Sequence, residues 1–472
     1  MPDNYRQAIK PLWIRYGLFP HGGMDTILGK GKKDISMLMT FTVADRLLRS
    51  DGKLAFVITQ SVFKTRGAGQ GFRQFQIMHD GRWVADLAPV HVDDMVKLNP
   101  FEGAANRTAV LVLQKGKPTS YPVPYTVWQK NRGQRFTYDS TLSEVEAATR
   151  RRELLAQPVD PNDRTSPWLT VSKAALQALP KVLGPSDYQA HAGAYTGGAN
   201  AVYWLQIVEK RPDGLLVVRN LTEGAKIRVP QVTECLEPDL IYPLLRGRDV
   251  QRWRAEPSAY ILMVQDPVTR RGLDQNTLQR QYPRTLAYLQ RFESVLRKRS
   301  SRGVSDMLKK GAPFYTMFGV GEYTFAPWKV VWTRLAQIQA AVAGHQNNRP
   351  VVPQETVTLV ECRAKSEAHY LAALVNSSPF QFAAISYSQE GGKSMGSMHL
   401  LEHIRIPRYN AKNPTHRRLA ELSKQAHRAA QAGDEKRLRK IEAQINRQAA
   451  CLWGWTNAEL AEIEQSLRES EG

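Results

Sequence analysis

The chain reads as an α/β protein: the second half of a doubly wound sheet, then a mixed α+β region, then a helical tail. Three observations give this. A helical period over Asp34–Leu48 runs straight into a short apolar strand, Lys53–Thr59, with two more strand-like runs behind it. From about Trp168 to Tyr409, short β-forming runs alternate with basic helical stretches. From Pro414 onward the apolar residues recur at helical spacing only.

In the first helix, Ile35, Leu38, Met39, Thr42, Ala44 and Leu47 fall largely on one side. The turn Ser50–Gly52 stops it. KLAFVIT at Lys53–Thr59 is apolar on both alternate sets, which suits a strand buried on two faces. GAGQG at Gly67–Gly71 reads as a flexible loop, and Phe72–Ile77 as the start of a helix. Val90–Leu98 and Arg107–Gln114 read as two further strands. Leu142–Leu155 has the pattern of a charged surface helix, and the prolines of Pro158–Pro167 mark a linker. LLVVRN at Leu215 and WKVVWTRLA at Trp328 are β runs; Pro283–Lys298 is a basic helical stretch. In the tail, Leu419, Leu422 and Ala426 share one helical face, and Leu438, Ile441, Ile445 and Leu452 another. Ala432–Asp434 divides the two, so an antiparallel helical pair is expected. Thr456 with Glu459 makes a capping box for a last helix.

Composition narrows the partners. Among 472 residues, 65 Lys and Arg face 44 Asp and Glu, a net charge of +21. An excess of that size suits a polyanion, because displaced counterions favour phosphate binding. Three scattered cysteines, Cys235, Cys362 and Cys451, make neither a disulfide framework nor a zinc site. The N-terminus lacks the apolar core of a signal peptide, and no apolar stretch is long enough for a membrane span; a cytoplasmic protein with no membrane partner is expected.

The order DISMLMTFTVADRLLRSDG, KLAFVITQSVF, FRQFQI, LNPFEGAANRTAVLVLQKG resembles the adenine-specific (N6) DNA methyltransferases, and most closely the large enzymes that carry a C-terminal target-recognition domain. The likeness spans roughly Tyr5–Gln114. It implies S-adenosylmethionine as cofactor, double-stranded DNA as partner, and a flipped adenine stacked on an aromatic. Phe101 stands at the family's stacking position; the other role open to it is packing under the sheet. Thr59, Gln60 and Ser61 end a strand where doubly wound sheets bind ligands, and would line the target-base pocket or cap the next helix. Asp34 and Ile35 open the first helix and are candidates for the cofactor or base vicinity. GKGKKD at Gly29–Asp34 is a basic loop. The family's glycine-rich cofactor loop with its acidic residue and its Pro-Pro-aromatic catalytic loop are both missing, and no Pro-Pro dipeptide occurs anywhere. The expectation is therefore a C-terminal portion only, inactive alone, with a separate N-terminal methyltransferase polypeptide as a possible partner. Cytosine N4 methylation stays open for the same reason, as does membership of a restriction-modification or phage-defence system.

The resemblance continues in IYPLLRGRDVQRW, Ile241–Trp253, which is similar to a phrase of the family's recognition domain. Arg246, Arg248 and Arg252 are candidates for phosphate or guanine contacts, since a guanidinium bonds either in bidentate fashion. The other role for Arg248 is an internal pair with Asp249. Arg297, Lys298, Arg299, Arg302, Lys309 and Lys310 have the spacing of a backbone-binding surface or of a solvated charged face. The expected division is 1–135 for the end of the catalytic domain, 136–167 for helix and linker, 168–410 for target recognition and 411–472 for the helical tail. His399, Glu402 and His403 match a zinc-protease pattern but precede a strand-like run and lack a third ligand, so no metal site is expected. GGKS at Gly391 lacks P-loop spacing. The alternative function is a non-catalytic DNA-binding specificity subunit, or an inactive remnant.

Overall fold

A computed structural model describes residues 3–19, 34–65, 69–101, 107–134, 136–137, 139–160, 162–334, 338–387, 396 and 398–471. The chain divides into two compact units, residues 1–179 with 385–389, and residues 180–384 with 390–472. The described residues include no helix long and apolar enough to cross a membrane.

The first unit opens with α1 (Asp3–Arg15) and α2 (Ile35–Arg46). Asp34 starts α2 in the way its residue type favours: its carboxylate accepts the Ser36 N–H at 2.9 Å. The strands are β1 (Lys53–Thr59), β2 (Gln76–His79), β3 (Arg82–Asp94), β4 (Thr108–Lys115), β5 (Val123–Lys130), β6 (Thr149–Pro158) and β7 (Trp168–Val171). They form one sheet in the order β1-β4-β3-β5-β6-β7, with β2 on the outer part of β3. Pairing is antiparallel except between β3 and β5, which run parallel over Val92–Asp94.

One face of this sheet carries the core. Ile58, Leu111, Leu113, Val92 and Tyr125 point into it, under Met37, Leu38, Phe41 and Ala44 of α2. Phe63 stacks on Trp168 at 4.7 Å between ring centroids, and each such fully buried side chain is worth about 1.5–3 kcal/mol. The expectation that β1 is buried on both faces is corrected: burial alternates along it, and Val57 on the other face is 50 % exposed. β1 pairs only with β4 among the described residues, leaving its other edge open. On α2, Met39 (51 % exposed) and, just past the helix end, Leu47 (79 %) are also uncovered.

Two further expectations change. Phe72–Ile77 starts no α-helix. A 3-10 turn at Phe72–Gln74 closes on Phe75 at φ 50°, and Gln76 then enters β2; burial of Phe72, Phe75 and Ile77 outweighs local helical tendency. The segment expected as helix and linker is helical only over Leu142–Ala148, behind a Thr141–Glu144 capping box. Thr149–Pro158 is instead β6, which buries Leu154 and Ala156 opposite Tyr125 and Val123. Gly69 and Gly71, the described glycines of the expected flexible loop, are buried at close approaches. A Cβ at Gly69 would lie 2.1 Å from the Val62 carbonyl oxygen, and one at Gly71 2.6 Å from that of Gly17.

The second unit contains a six-stranded sheet ordered Thr233–Leu236, Leu216–Asn220, Trp204–Lys210, Ala259–Leu262, Ile241–Leu245, Val352–Pro353. A four-stranded sheet is built on Trp328–Thr333 between Ala340–Ala343 and Val357–Cys362. The main core lies between the first sheet and the helices that follow it, and includes Tyr203, Leu244, Ile261, Leu286, Leu289 and Tyr315. The basic stretch Pro283–Lys298 is two short helices, Pro283–Gln290 and Glu293–Arg297, preceded by another at Gln275–Gln281. The tail is helical as expected, over Pro414–Gln431, Glu435–Leu452 and Asn457–Glu471. Gly433 at φ 68° makes the turn, and the Thr456–Glu459 capping box is present. The tail is part of the second unit, where the first of its helices packs on Lys365–Val375.

Candidate nucleic-acid interface

In the first unit, three chain segments meet at the C-terminal end of β1. Thr59 pairs with Thr108, the Gln60 N–H donates to the Arg107 carbonyl at 2.8 Å, and the Met95 N–H donates to the Thr108 carbonyl at 3.1 Å. The β3–β4 connection, which carries Phe101, therefore leaves and returns at that end. Phe101 is 44 % exposed, so it is not the packing residue its apolar type allowed; residues 102–106 lie outside those described. The α2 N-terminus is at that end too, because α2 runs back along β1 from the Ser50–Gly52 turn.

At this end of the sheet Gln60 is buried and donates its amide to the Asp94 carboxylate at 3.3 Å. Asp94 also accepts the Val96 N–H at 2.9 Å and the Tyr125 hydroxyl. Sequence reasoning named Gln60 but missed Asp94 and Tyr125; the available signal was an acidic pair, Asp93–Asp94, inside a strand. Two buried hydroxyls here, Ser36 Oγ and Thr59 Oγ1, make no hydrogen bond among the described residues. Ser61 starts a single helical turn, and its carbonyl accepts from Thr65. Asp34 is occupied as a helix cap and Ile35 is partly buried beside it. The basic residues before Asp34 lie outside the described residues.

In the second unit, the arginines expected at a DNA surface separate into two groups. Arg299 is a correction. It is 3 % exposed, and its guanidinium donates to three backbone carbonyls: Leu296 at 2.8 Å, Thr196 at 2.9 Å and Phe314 at 2.5 Å. Arg246 is corrected too. It is buried, and its backbone N–H (2.9 Å) and Nε (3.3 Å) both donate to Asp249, so Arg246 rather than Arg248 holds that acid. Arg252 donates to Glu442 and to the Asn376 carbonyl, and the buried Trp253 donates to the same Glu442 at 2.8 Å. The phrase RGRDVQRW thus braces the unit against its tail helix. Arg248, Lys298, Lys309 and Lys310 are exposed. Arg297 pairs with Glu293 at 2.6 Å, and Arg302 with Asp306 at 4.0 Å, both on the surface where such pairs contribute little.

Other titratable groups in this unit are buried. Lys329 is wholly buried, its ammonium donating to the Ala326 carbonyl, and desolvation pulls it down to about 7. His369 and His427 are brought down by burial to about 3 and about 4. The Val342 N–H donates to His427 Nε2 at 3.0 Å, and Nδ1 donates to the Ser423 carbonyl at 2.8 Å, which fixes a neutral ring. His399, Glu402 and His403 lie on and just after a 3-10 turn, not on a long helix.

No protein-family model matches the chain. Over 145 residues it is 27 % identical to the type II methyltransferase M.NspV of Nostoc sp., an alignment covering 30 % of this chain and 28 % of that protein. Its fold resembles that of the type IIL restriction-modification enzyme MmeI, solved in complex with DNA. There the TM-score is 0.50 at 10 % identity, over 95 % of this chain and 54 % of the other. The type IIG restriction endonuclease BpuSI aligns over 94 % of this chain and 51 % of its own at 13 % identity, with a TM-score of only 0.29. This chain spans about half the length of the MmeI chain.

Proposed function

We propose that the chain is the DNA-recognising part of a site-specific DNA methyltransferase of restriction-modification type, acting on adenine N6. The observation that carries this is convergence. A sequence comparison leads to a type II methyltransferase, and an independent comparison of folds leads, over 95 % of the chain, to a restriction-modification enzyme. The net charge of +21 supports a DNA partner.

In this reading the first unit's sheet is the second half of a doubly wound methyltransferase sheet. Support comes from the open edge of β1 and from Val57, Met39 and Leu47, which lack cover among the described residues. Phe101 is the aromatic on which the flipped base stacks, with Thr59, Gln60 and Ser61 in the pocket wall and Asp94–Tyr125 holding Gln60 in place. The second unit reads the DNA sequence, with Arg248, Lys298, Arg302, Lys309 and Lys310 on phosphates.

The methyl donor, S-adenosylmethionine, does not fit the residues present. Among the described residues, two unpaired hydroxyls, Ser36 and Thr59, and a capped Asp34 make no cradle for an adenosine and a sulfonium, and the sequence shows no family-type glycine-rich loop with an acidic partner. The cofactor and catalytic loops are therefore supplied by polypeptide outside these 472 residues, in the same protein or in a separate methyltransferase subunit; in the latter case this chain is the specificity subunit.

The test is paired. The purified chain is titrated with fluorescent duplex DNA, and separately incubated with labelled S-adenosylmethionine and DNA. Binding without methyl transfer is expected. Absence of binding at low salt overturns DNA recognition, and robust methylation by the chain alone overturns the division of labour.

A further inference from the structure

Buried and half-buried acids of the second unit have donors at hand. Asp249 accepts from Arg246, and Glu442 from Arg252 and Trp253. Glu367 accepts from the Arg363 N–H at 2.8 Å and the Tyr188 hydroxyl at 3.2 Å, and Glu237 from the Thr285 N–H at 2.9 Å. Glu355 differs. It is half-buried, and it is the only Asp or Glu among the described residues with a side-chain oxygen, Oε2, that is shut off from solvent and makes no hydrogen bond. A carboxylate oxygen left so costs free energy, and each such group in a native structure calls for a functional explanation. Burial raises the pKa of this carboxyl, and Arg334 opposes the rise. Yet Arg334 makes no ion pair with the carboxylate among the described residues; its Nη1 donates instead to the Glu355 backbone carbonyl at 3.0 Å.

The backbone here is firmly held. Val352–Pro353 pairs with Leu244–Leu245 in the six-stranded sheet, and Val357 pairs with Thr333 in the four-stranded one, so Glu355 stands where the chain crosses between them. The Gln354 N–H donates to the Leu245 carbonyl at 3.0 Å, the Glu355 N–H to that of Ala194 at 3.1 Å, and the Arg334 N–H to that of Thr356 at 2.9 Å. The turn with the exposed Arg248 is pressed against the crossing: a Cβ at Gly247 would lie 2.9 Å from Thr356 Oγ1. The fold thus fixes the position of Glu355 through its backbone and leaves one carboxylate oxygen without a donor. The donors that a duplex presents in its major groove are the exocyclic amino groups, N4 of cytosine and N6 of adenine, and a Glu side chain accepts from such a group.

We propose that Glu355 is a base-reading residue of the second unit. Its carboxylate accepts a hydrogen bond from the exocyclic amino group of one base, and Arg334 holds its backbone in place. The inference rests on the DNA-binding reading above.

The test is selection from a randomised duplex library by the full chain, by E355A and E355Q, and by E361Q, an exposed acid on the following strand that controls for charge. E355A and E355Q are expected to melt at or above the parent, because the unpaired carboxylate is gone. At one position of the parent consensus E355A should lose about tenfold of the preference, and E355Q should read adenine there, the base a glutamine amide matches. All other positions, and the whole E361Q consensus, should stay as in the parent. Cytosine at that position in the parent identifies N4 as the donor, and adenine N6. A consensus for E355A identical to the parent's, an equal loss of affinity for consensus and scrambled duplexes, the same change in E361Q, or a lowered melting point of E355Q with its consensus intact overturns this inference and leaves the DNA reading standing. A parent that selects no consensus overturns both.

Discussion

Removing the Arg299 side chain separates a structural arginine from a DNA-binding one. Its guanidinium satisfies the carbonyls of Leu296, Thr196 and Phe314, which lie in three separate chain segments. A hydrogen bond from a charged donor contributes about 1.5–3 kcal/mol net, and each buried acceptor left without a partner costs about 1–3 kcal/mol. The desolvation that Arg299 already bears offsets part of this. R299A is therefore expected to lose about 3–5 kcal/mol, the range for breaking a buried charged network. R299K should recover less than half, because one ammonium nitrogen cannot span carbonyls that the planar fork reaches together. The assay is urea unfolding at pH 7 in low and high salt, with K309A and K310A as exposed comparisons expected within about 0.5 kcal/mol of the parent. The loss at Arg299 should be nearly salt-independent, since buried charges are screened little. An R299A protein that is less than 1 kcal/mol destabilised yet loses a unit of salt slope in DNA binding would refute the structural assignment.

Other outcomes follow from the same interior. Replacing the wholly buried Lys329 by Met removes a desolvated amine for one hydrogen bond, and should stabilise the chain by on the order of 1–3 kcal/mol. An unfolded lysine stays protonated to about pH 10.4, whereas the folded one loses its proton near 7. The parent should thus gain stability as pH rises from 7 to 10, and K329M should lack that gain in denaturant titrations. His369 and His427 act at the other end. The unfolded chain binds protons below about pH 6.5 while the folded rings, at about 3 and about 4, do not. The stability these two rings contribute is complete above 6.5 and falls by about 1.4 kcal/mol per pH unit for each ring on the way down to about 4; H427Q should flatten the curve measured between those values. Y125F removes the hydroxyl that holds Asp94 and should cost about 1.5–3 kcal/mol in thermal or urea unfolding. F101A, at an exposed position, should change stability by less than about 0.5 kcal/mol, while lowering methylation in the complete enzyme.

Local order is what the sequence displays best. The helix at Ile35–Arg46 and the strand at Lys53–Thr59 carry their own capping residue, turn and apolar period, so both are legible at close to their observed bounds. The tail helices are legible for the same reason, down to Gly433 and the Thr456–Glu459 box. Phe72–Ile77 and Thr149–Pro158 were not, because partners distant in sequence decide them: Gln76 joins Asp86, and Leu154 is buried opposite Tyr125. The candidate site shows the same division. Phe101, Thr59 and Gln60 are at one end of the sheet as their order suggested, but Asp94 and Tyr125 reach that network only through strand pairing. Charge runs were the least informative. Arg246, Arg252 and Arg299 look like Arg248 in sequence, yet an acid or carbonyl brought from another segment, or three residues away, binds each of them.

The central claim is that this chain recognises a DNA sequence, not merely its charge. Repeated selection from a randomised duplex library by the purified chain, at a salt concentration that suppresses purely electrostatic binding, tests it most directly. Convergence on one short consensus, lost on methylation-independent scrambling of that site, is the predicted result. A bound pool as random as the input would contradict the account and leave only a basic protein with a methyltransferase-like fold fragment.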